Sequence, residues 1–389
     1  MCGNDNSLVS IKHDSFPANQ CSPFTKEELS HDVLGSIAIA RCNHCSHVFN
    51  KNASKEIVNQ MYFNPFSASL PTRPEHFERL RGIISNTFPV DEIKGETVIE
   101  IGASDFTFCE LLLENGVESI LAFEPSSAFS NTNSKITHLK EYFSWDVVPE
   151  QYKDTKLIFM RHVLEHLFEP REFFEQISQL KEGSYLYIEV PCLDDIIIHG
   201  RYYDFFYEHI NYFSKNVLRK LFNDYGFEVI KENYLYNGQH MGFLGRLNKD
   251  IEAPTEATND EQASLDKTLF DNFNHNCLAQ KSQLKEIFMQ YPRVAIYGAG
   301  GHAVSAIHFA EIPFDKVSVL LDMNPYKENK YSPGSHHLIQ KPSKEIVDQL
   351  DAIVIIAALH EKEIHHILRN DFSFTGDIYG IFPQVQKLR

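Results

Sequence analysis

The stretch Val98, Ile99, Glu100, Ile101, Gly102 constrains the architecture of this chain more than any other. A short run rich in β-branched residues ends at a glycine, and helical spacing follows at Phe108, Leu111, Leu112 and Leu113. A strand that halts at a glycine and feeds a helix belongs to an α/β layer. The start of that helix offers unpaired backbone N–H groups and a positive dipole end to a ligand. Residues 121–125 read as a second strand closing on Glu124. That acid follows the turn by roughly 20 residues, the interval at which open α/β sheets set a carboxylate against a ribose. A ligand with an adenosine-like half is expected at this turn.

Strand-type segments recur at 120–123, 157–160, 185–190 and 227–230, and helical spacing at 77–84, 165–180 and 215–225. This alternation predicts an α/β fold with a doubly wound, mostly parallel sheet. A second strand–turn–helix begins at Val294 and runs through Gly298, Gly300 and Ala303, with further strands at 317–322 and 352–357. Residues 1–60 are polar and turn-rich and hold four of the seven cysteines. Residues 251–262 are acidic, rich in Thr and short of large apolar side chains, which suits a linker, and 265–289 read as one or two helices. The expected organisation is a zinc-binding-like module at 1–60 and a central domain at 61–250. A linker with helices follows at 251–290, then a Rossmann-like α/β domain at 291–389.

A net charge of -17 leaves no basic surplus to release phosphate counterions, which excludes nucleic acid as a partner. No apolar run reaches the ~20 residues that span a bilayer. Residues 2–12 lack the charged and apolar regions of a signal peptide. A cytoplasmic protein with reduced thiols and a small-molecule substrate is the expectation, so the cysteines read as metal ligands or buried hydrophobes rather than disulfides.

Cys42 and Cys45 form a Cys-x-x-Cys pair, and Cys2 and Cys21 lie upstream. These four are the candidate ligands of a structural, tetrahedral zinc. At the first turn a dinucleotide would need three glycines for its pyrophosphate to approach the backbone. Only Gly102 is present, so the turn (Gly102, Ala103, Ser104, Asp105) with Glu100 and Glu124 favours S-adenosylmethionine, which has no pyrophosphate. The second turn, Gly298-x-Gly300-x-x-Ala303 with Asp322 roughly 20 residues on, keeps NAD open. After the 157–160 strand comes the run from His162 to His166, where a His or Glu can contact a cofactor or move a proton. The segment 202–213 packs seven aromatic residues around Asp204, Glu208 and His209, which suits a pocket for a sugar-like substrate with a nearby base.

These pieces in this order resemble the three-domain S-adenosylmethionine-dependent sugar C-methyltransferases. The signatures run from Phe16–Asn19 and Arg41–Cys45, through the turn at Glu100–Asp105, the His162–His166 run and the Tyr207–Ser214 run, to Tyr297–Ala299, Asp322–Lys327 and Tyr331–Gly334. The resemblance implies methyl transfer to a carbon beside a ketone of a nucleotide-linked keto-deoxy sugar. It implies His209 as the base, Glu208 as the group that tunes or orients it, and His166 as a polar assistant near the sugar. His162 would join the cofactor residues, and Gly298, Gly300, Asp322 and Tyr326 would hold the nucleotide end. Phe106 stands where the family has a glycine and is expected to crowd the cofactor loop, and the family's serine- and tyrosine-rich segment becomes residues 63–69. Two other readings compete: an NAD-dependent oxidoreductase or nucleotide-sugar binder built on Gly298–Ala303, and a non-catalytic partner subunit in which Phe106 blocks the cofactor.

Overall fold

The computed structural model describes residue 2 and residues 6–62, 74–126, 129–250 and 259–389. Residues 63–69 and the first part of the linker, 251–258, lie outside the described residues. Three sheets organise the rest.

The central sheet has seven strands. Its order is Phe227–Leu235, His240–Leu247, Tyr185–Pro191, Leu157–Arg161, Thr97–Ile101, Ser119–Phe123, Ile136–Leu139. The last five run parallel and the first two join antiparallel at one edge. Side chains on a strand alternate between faces. Ile99 and Ile101 therefore enter one core with Leu121, Ile158 and Phe174. Val98 and Phe159 enter the opposite core with Leu80, Ile84 and Leu112. Glu100 shares the phase of Val98, so its carboxyl is carried into that second layer, 3% exposed.

Two elements differ from expectation for local reasons. The strand His240–Leu247 carries Gly242 and Gly245, which disguise it. In the structure these glycines let the Tyr187 hydroxyl and the Phe222 ring lie directly against the backbone. The helix expected over 165–180 begins only at Pro170, whose fixed φ suits a first helical position. Before it, Leu164–His166 is a single 3-10 turn that projects its polar side chains towards the sheet's C-terminal end.

The amino-terminal residues form an antiparallel sheet, Ser7–Pro17, Leu34–Cys42, Val48–Asn50, rather than turns alone. Its fourth strand is Asn211–Tyr212, borrowed from the centre of the chain. The carboxy-terminal sheet has the order Ile339–Gln340, Val317–Leu321, Val294–Tyr297, Ala352–Ile355, Asp377–Gly380, Gln386–Leu388, parallel except for the last strand. A single helix, Asn259–Gln290, precedes it.

One continuous core joins Phe16 and Ile37 of the first sheet, Tyr202 to Tyr212 of the aromatic segment, Phe273 and Phe288 of the long helix, and Ala303 to Ile307 of the carboxy-terminal unit. A buried polar thread runs through it. Gln20 accepts from the Tyr207 backbone N–H at 2.7 Å and donates to Ser305 Oγ at 2.8 Å, and Ser305 donates to the Phe205 carbonyl at 3.1 Å. Gly35 sits flat against the Tyr207 ring, and any Cβ there would overlap it. Tyr207 is 1% exposed and cannot swing aside. Gly35→Ala should therefore lower unfolding free energy by about 1–3 kcal/mol, measured by chemical denaturation; wild-type stability would refute this packing.

Candidate active site

At the first turn the backbone groups are already spent within the protein. Gly102 and Ala103 both donate to the Phe123 carbonyl, at 2.8 and 3.3 Å. Ser104 N–H donates to Glu124 Oε2 at 2.8 Å, Ser126 N–H to Glu124 Oε1 at 2.9 Å, and Thr107 N–H to Asp105 Oδ1 at 3.1 Å. The expectation of free amides aimed at a ligand is thus corrected: this turn has no phosphate cradle. It has instead a fixed carboxylate at a strand tip, whose remaining lone pairs suit the two hydroxyls of a ribose. That donor and acceptor set fits the nucleoside of S-adenosylmethionine.

Glu100 is not brought to this surface. It accepts from the Cys109 thiol at 2.6 Å, and burial pushes its carboxyl up to about 8. Asp105 is exposed and caps the helix start. Phe106 adopts φ 62°, the left-handed region in which a glycine is unstrained. Its ring is 2% exposed and packs edge-on against His138, inside the helix-side core. The expected crowding of the loop is relieved by that inward turn.

Val163 touches Gly102 so closely that the glycine has no room for a Cβ. The next elements therefore begin where the turn ends. Glu189, at the tip of Tyr185–Pro191 and fully buried, is held by Arg161 Nε at 3.0 Å and by the Tyr187 hydroxyl at 3.1 Å. Its second oxygen lies 3.1 Å from His162 Nε2. Burial opposes its ionised form, but Arg161 and His162 win and hold its carboxyl far below the usual range. His162 responds in kind: burial would lower it, while Glu165 and Glu189 raise it to about 9. Its backbone is also left-handed, φ 57°.

Around this ion pair the structure gathers further histidines. His166 Nδ1 meets the Glu208 carbonyl at 3.0 Å, and its ring stands edge-on to His209 at 4.8 Å. His209 Nδ1 is buried without a hydrogen-bond partner among the described residues. Burial, reinforced by His166, His162, His240 and His302, drives His209 well below its ordinary value, so it is neutral at physiological pH. Burial raises the Glu208 carboxyl, with His166 opposing, yet no hydrogen bond joins it to His209 among the described residues. His240 stacks edge-on to His162 at 4.9 Å. His302 enters from the carboxy-terminal unit, its Nε2 2.5 Å from Asp204 Oδ1, and Asp204 is braced by Arg201 at 2.8 Å.

The structure therefore brings His166 and His209 together. His240, His302 and Glu189 were missed. Glu189 had a signal, an acid inside the apolar strand at 185–190; His240 and His302 had none, since distant segments deliver them.

The second turn repeats the construction of the first with one addition. Gly298 N–H donates to the Leu321 carbonyl and Ala299 N–H to Asp322 Oδ2, at 2.8 and 3.0 Å. Here, however, the Lys327 ammonium lies on both Asp322 Oδ2 and the Ala299 carbonyl, at 2.9 and 3.0 Å. Gly301, at the helix start beyond Gly300, is covered by Phe206 and by Cys21, whose sulfur accepts its N–H. Ribose and pyrophosphate positions at this turn are both taken by the protein itself, which disfavours NAD. Tyr326 is 47% exposed, with Lys330 over its ring.

Cys2, Cys42 and Cys45 bring their sulfurs within 4.8 Å of one another. The His44 N–H points at Cys42 Sγ, 3.4 Å away, the knuckle arrangement that stabilises a thiolate. Cys21 is not with them but at the Gly301 helix start, so the expected four-cysteine set is corrected to three. Three thiols fit zinc with one position to be supplied by another group.

Two family models match the chain: a methyltransferase domain over residues 73–232 and a C-methyltransferase C-terminal domain over residues 248–383. The C-methyltransferase NovU of Streptomyces niveus is 19% identical over 381 residues, spanning 94% of this chain and 90% of its own. Among solved structures, an S-adenosylmethionine dependent methyltransferase of Mesorhizobium loti aligns with a TM-score of 0.35 at 12% identity, covering 42% of this chain and 96% of that one. The magnesium protoporphyrin IX methyltransferase of Synechocystis PCC 6803, solved with bound SAH, aligns with a TM-score of 0.35 at 11% identity, covering 44% and 83%.

The His162 ion pair has a pH signature. Because folding raises its pKa, its stabilising contribution is complete below the ordinary histidine range and is lost as pH rises through about 9. Histidine-detected NMR should show one imidazole titrating near that value. Glu189→Gln should move it downward; an unmoved resonance would refute the pairing.

Proposed function

This chain is an S-adenosylmethionine-dependent C-methyltransferase, and we propose that it methylates a carbon next to a ketone of a nucleotide-linked keto-deoxy sugar, with His209 as the base. The observation that carries this reading is a buried, neutral imidazole whose Nδ1 has no hydrogen-bond partner among the described residues. A C–H beside a carbonyl is acidic enough for such a base once the forming oxyanion is stabilised. The cofactor supplies an electrophilic methyl group. Glu124 and Ser104 would hold its nucleoside, and Val163 against Gly102 fixes the distance from that turn to the histidines.

The base acts as a neutral group, so its proton-accepting nitrogen is available without prior deprotonation. His166 is held by the Glu208 carbonyl and stands edge-on to the base, which keeps the base's plane fixed. His162, the charged imidazole of the group, has both ring nitrogens directed at carboxylates and places a fixed positive charge near the forming oxyanion. His302 closes the far side through Asp204. The acceptor site would thus draw on two units of the chain. At the thiol cluster, Cys2, Cys42 and Cys45 would hold a structural zinc.

Calorimetric titration with S-adenosylmethionine should show binding to the wild type, weakened about tenfold or more by Glu124→Ala, since a charge-assisted hydrogen bond contributes about 1.5–3 kcal/mol. Asp322→Ala should leave that affinity unchanged. With a panel of nucleotide-linked keto-deoxy sugars, wild type should give products heavier by one methyl group. His209→Ala should bind the cofactor normally and give none; full turnover by this variant would dismiss the base assignment. Metal analysis should find zinc at the thiol cluster, and Cys42→Ser should lower the zinc content by about one per chain.

A further inference from the structure

Glu165 is the carboxylate beside these histidines that has neither oxygen hydrogen-bonded among the described residues. The residue is 1% exposed, and both of its oxygens are buried. Its nearest cation is His162, whose Nδ1 lies 3.7 Å from Glu165 Oε1 while its Nε2 lies 3.1 Å from Glu189. A buried carboxylate left this way is costly unless something pairs with it.

Two histidines face the same point. One ligand atom each from Glu165, His166 and His209 lie within 4.8 Å of one another. The Glu208 carbonyl meets His166 Nδ1 at 3.0 Å, an outer-shell contact of the kind that orients metal-binding histidines. His209 presents a buried Nδ1 that has no hydrogen-bond partner among the described residues. The rival cluster of His162, Glu189 and His240 is a poorer candidate, because Arg161 already neutralises Glu189 at 3.0 Å.

We propose that Glu165, His166 and His209 form a binding site for a divalent transition metal of the zinc class, and that its occupancy switches the base off. Two imidazoles and one carboxylate, with no sulfur, select borderline cations such as zinc, cobalt or nickel over calcium or magnesium. Coordination at ~2.1 Å from each ligand sets tetrahedral neighbours about 3.4 Å apart, so the three side chains contract by rotation about their own bonds. No electron transfer or bond cleavage is involved. The lone pair of His209 that would accept the substrate proton becomes the bond to the metal, and Glu165 gains its missing partner. The site itself follows from the geometry; the off-switch rests on the base reading given above.

The chain stripped by a chelator is titrated with Co2+, whose spectrum separates thiolate from nitrogen and oxygen ligands. Wild type should show a thiolate charge-transfer band from the cysteine cluster and a second event with ligand-field bands alone. Glu165→Gln and His166→Ala should each weaken the second event about tenfold or more while keeping the thiolate band, and Cys42→Ser should do the reverse. Two independent ligand variants guard against one that fails to fold. Absence of the second event in wild type, or its persistence in both variants, overturns the site. In wild type, filling the second site should abolish methyl transfer, with cofactor affinity retained. Undiminished transfer at full occupancy overturns the off-switch and the base assignment together, and leaves the metal site standing.

Discussion

The segment from Arg201 to Phe213 is the joint on which the rest depends. It lends a strand to the amino-terminal sheet and places Phe205 and Tyr207 in a core shared with the carboxy-terminal helix that starts at Gly301. It also carries His209, the proposed base, and Glu208, whose carbonyl meets His166. The side chain of Gln20 bridges this segment to Ser305, more than 280 residues away in sequence, with every partner buried. Buried polar groups of this kind fix register more than they add stability, since each left unpaired is costly. The position of His209 is therefore set by three sheets at once.

That dependence explains what could be read from the sequence. The first turn was legible because its signal is local: Gly102, the helical spacing after it, and Glu124 at the end of the next strand. The enzymatic class followed from such local runs taken in order. The chamber was only half legible. His166 and His209 sit in dense polar and aromatic runs, but His240 lies on a strand whose two glycines hide its period, and His302 arrives from a different sheet. Glu100 misled for the opposite reason. At a strand end an acid looks like a ligand contact, but the two-residue alternation sends it inward to Cys109.

The two glycine turns are a controlled comparison within one molecule. Both send the first amide to the neighbouring strand's last carbonyl and a following amide to an acid. They part in the side chains that cover them. Nothing cationic among the described residues covers Glu124, whereas Lys327 covers Asp322, and a helix start that elsewhere would meet a phosphate meets Cys21 and Phe206. The same backbone device is thus left uncovered at the first turn and is closed as a joint between units at the second.

Lys327 carries a consequence for how such a unit can be reached from solution. An ammonium tethered five residues from its carboxylate acts at an effective concentration set by the chain, in the millimolar range or above for short tethers. A free dinucleotide competing for Asp322 would meet that internal rival at every encounter. Asp322 is thus paired to the chain's own lysine before any ligand from solution arrives.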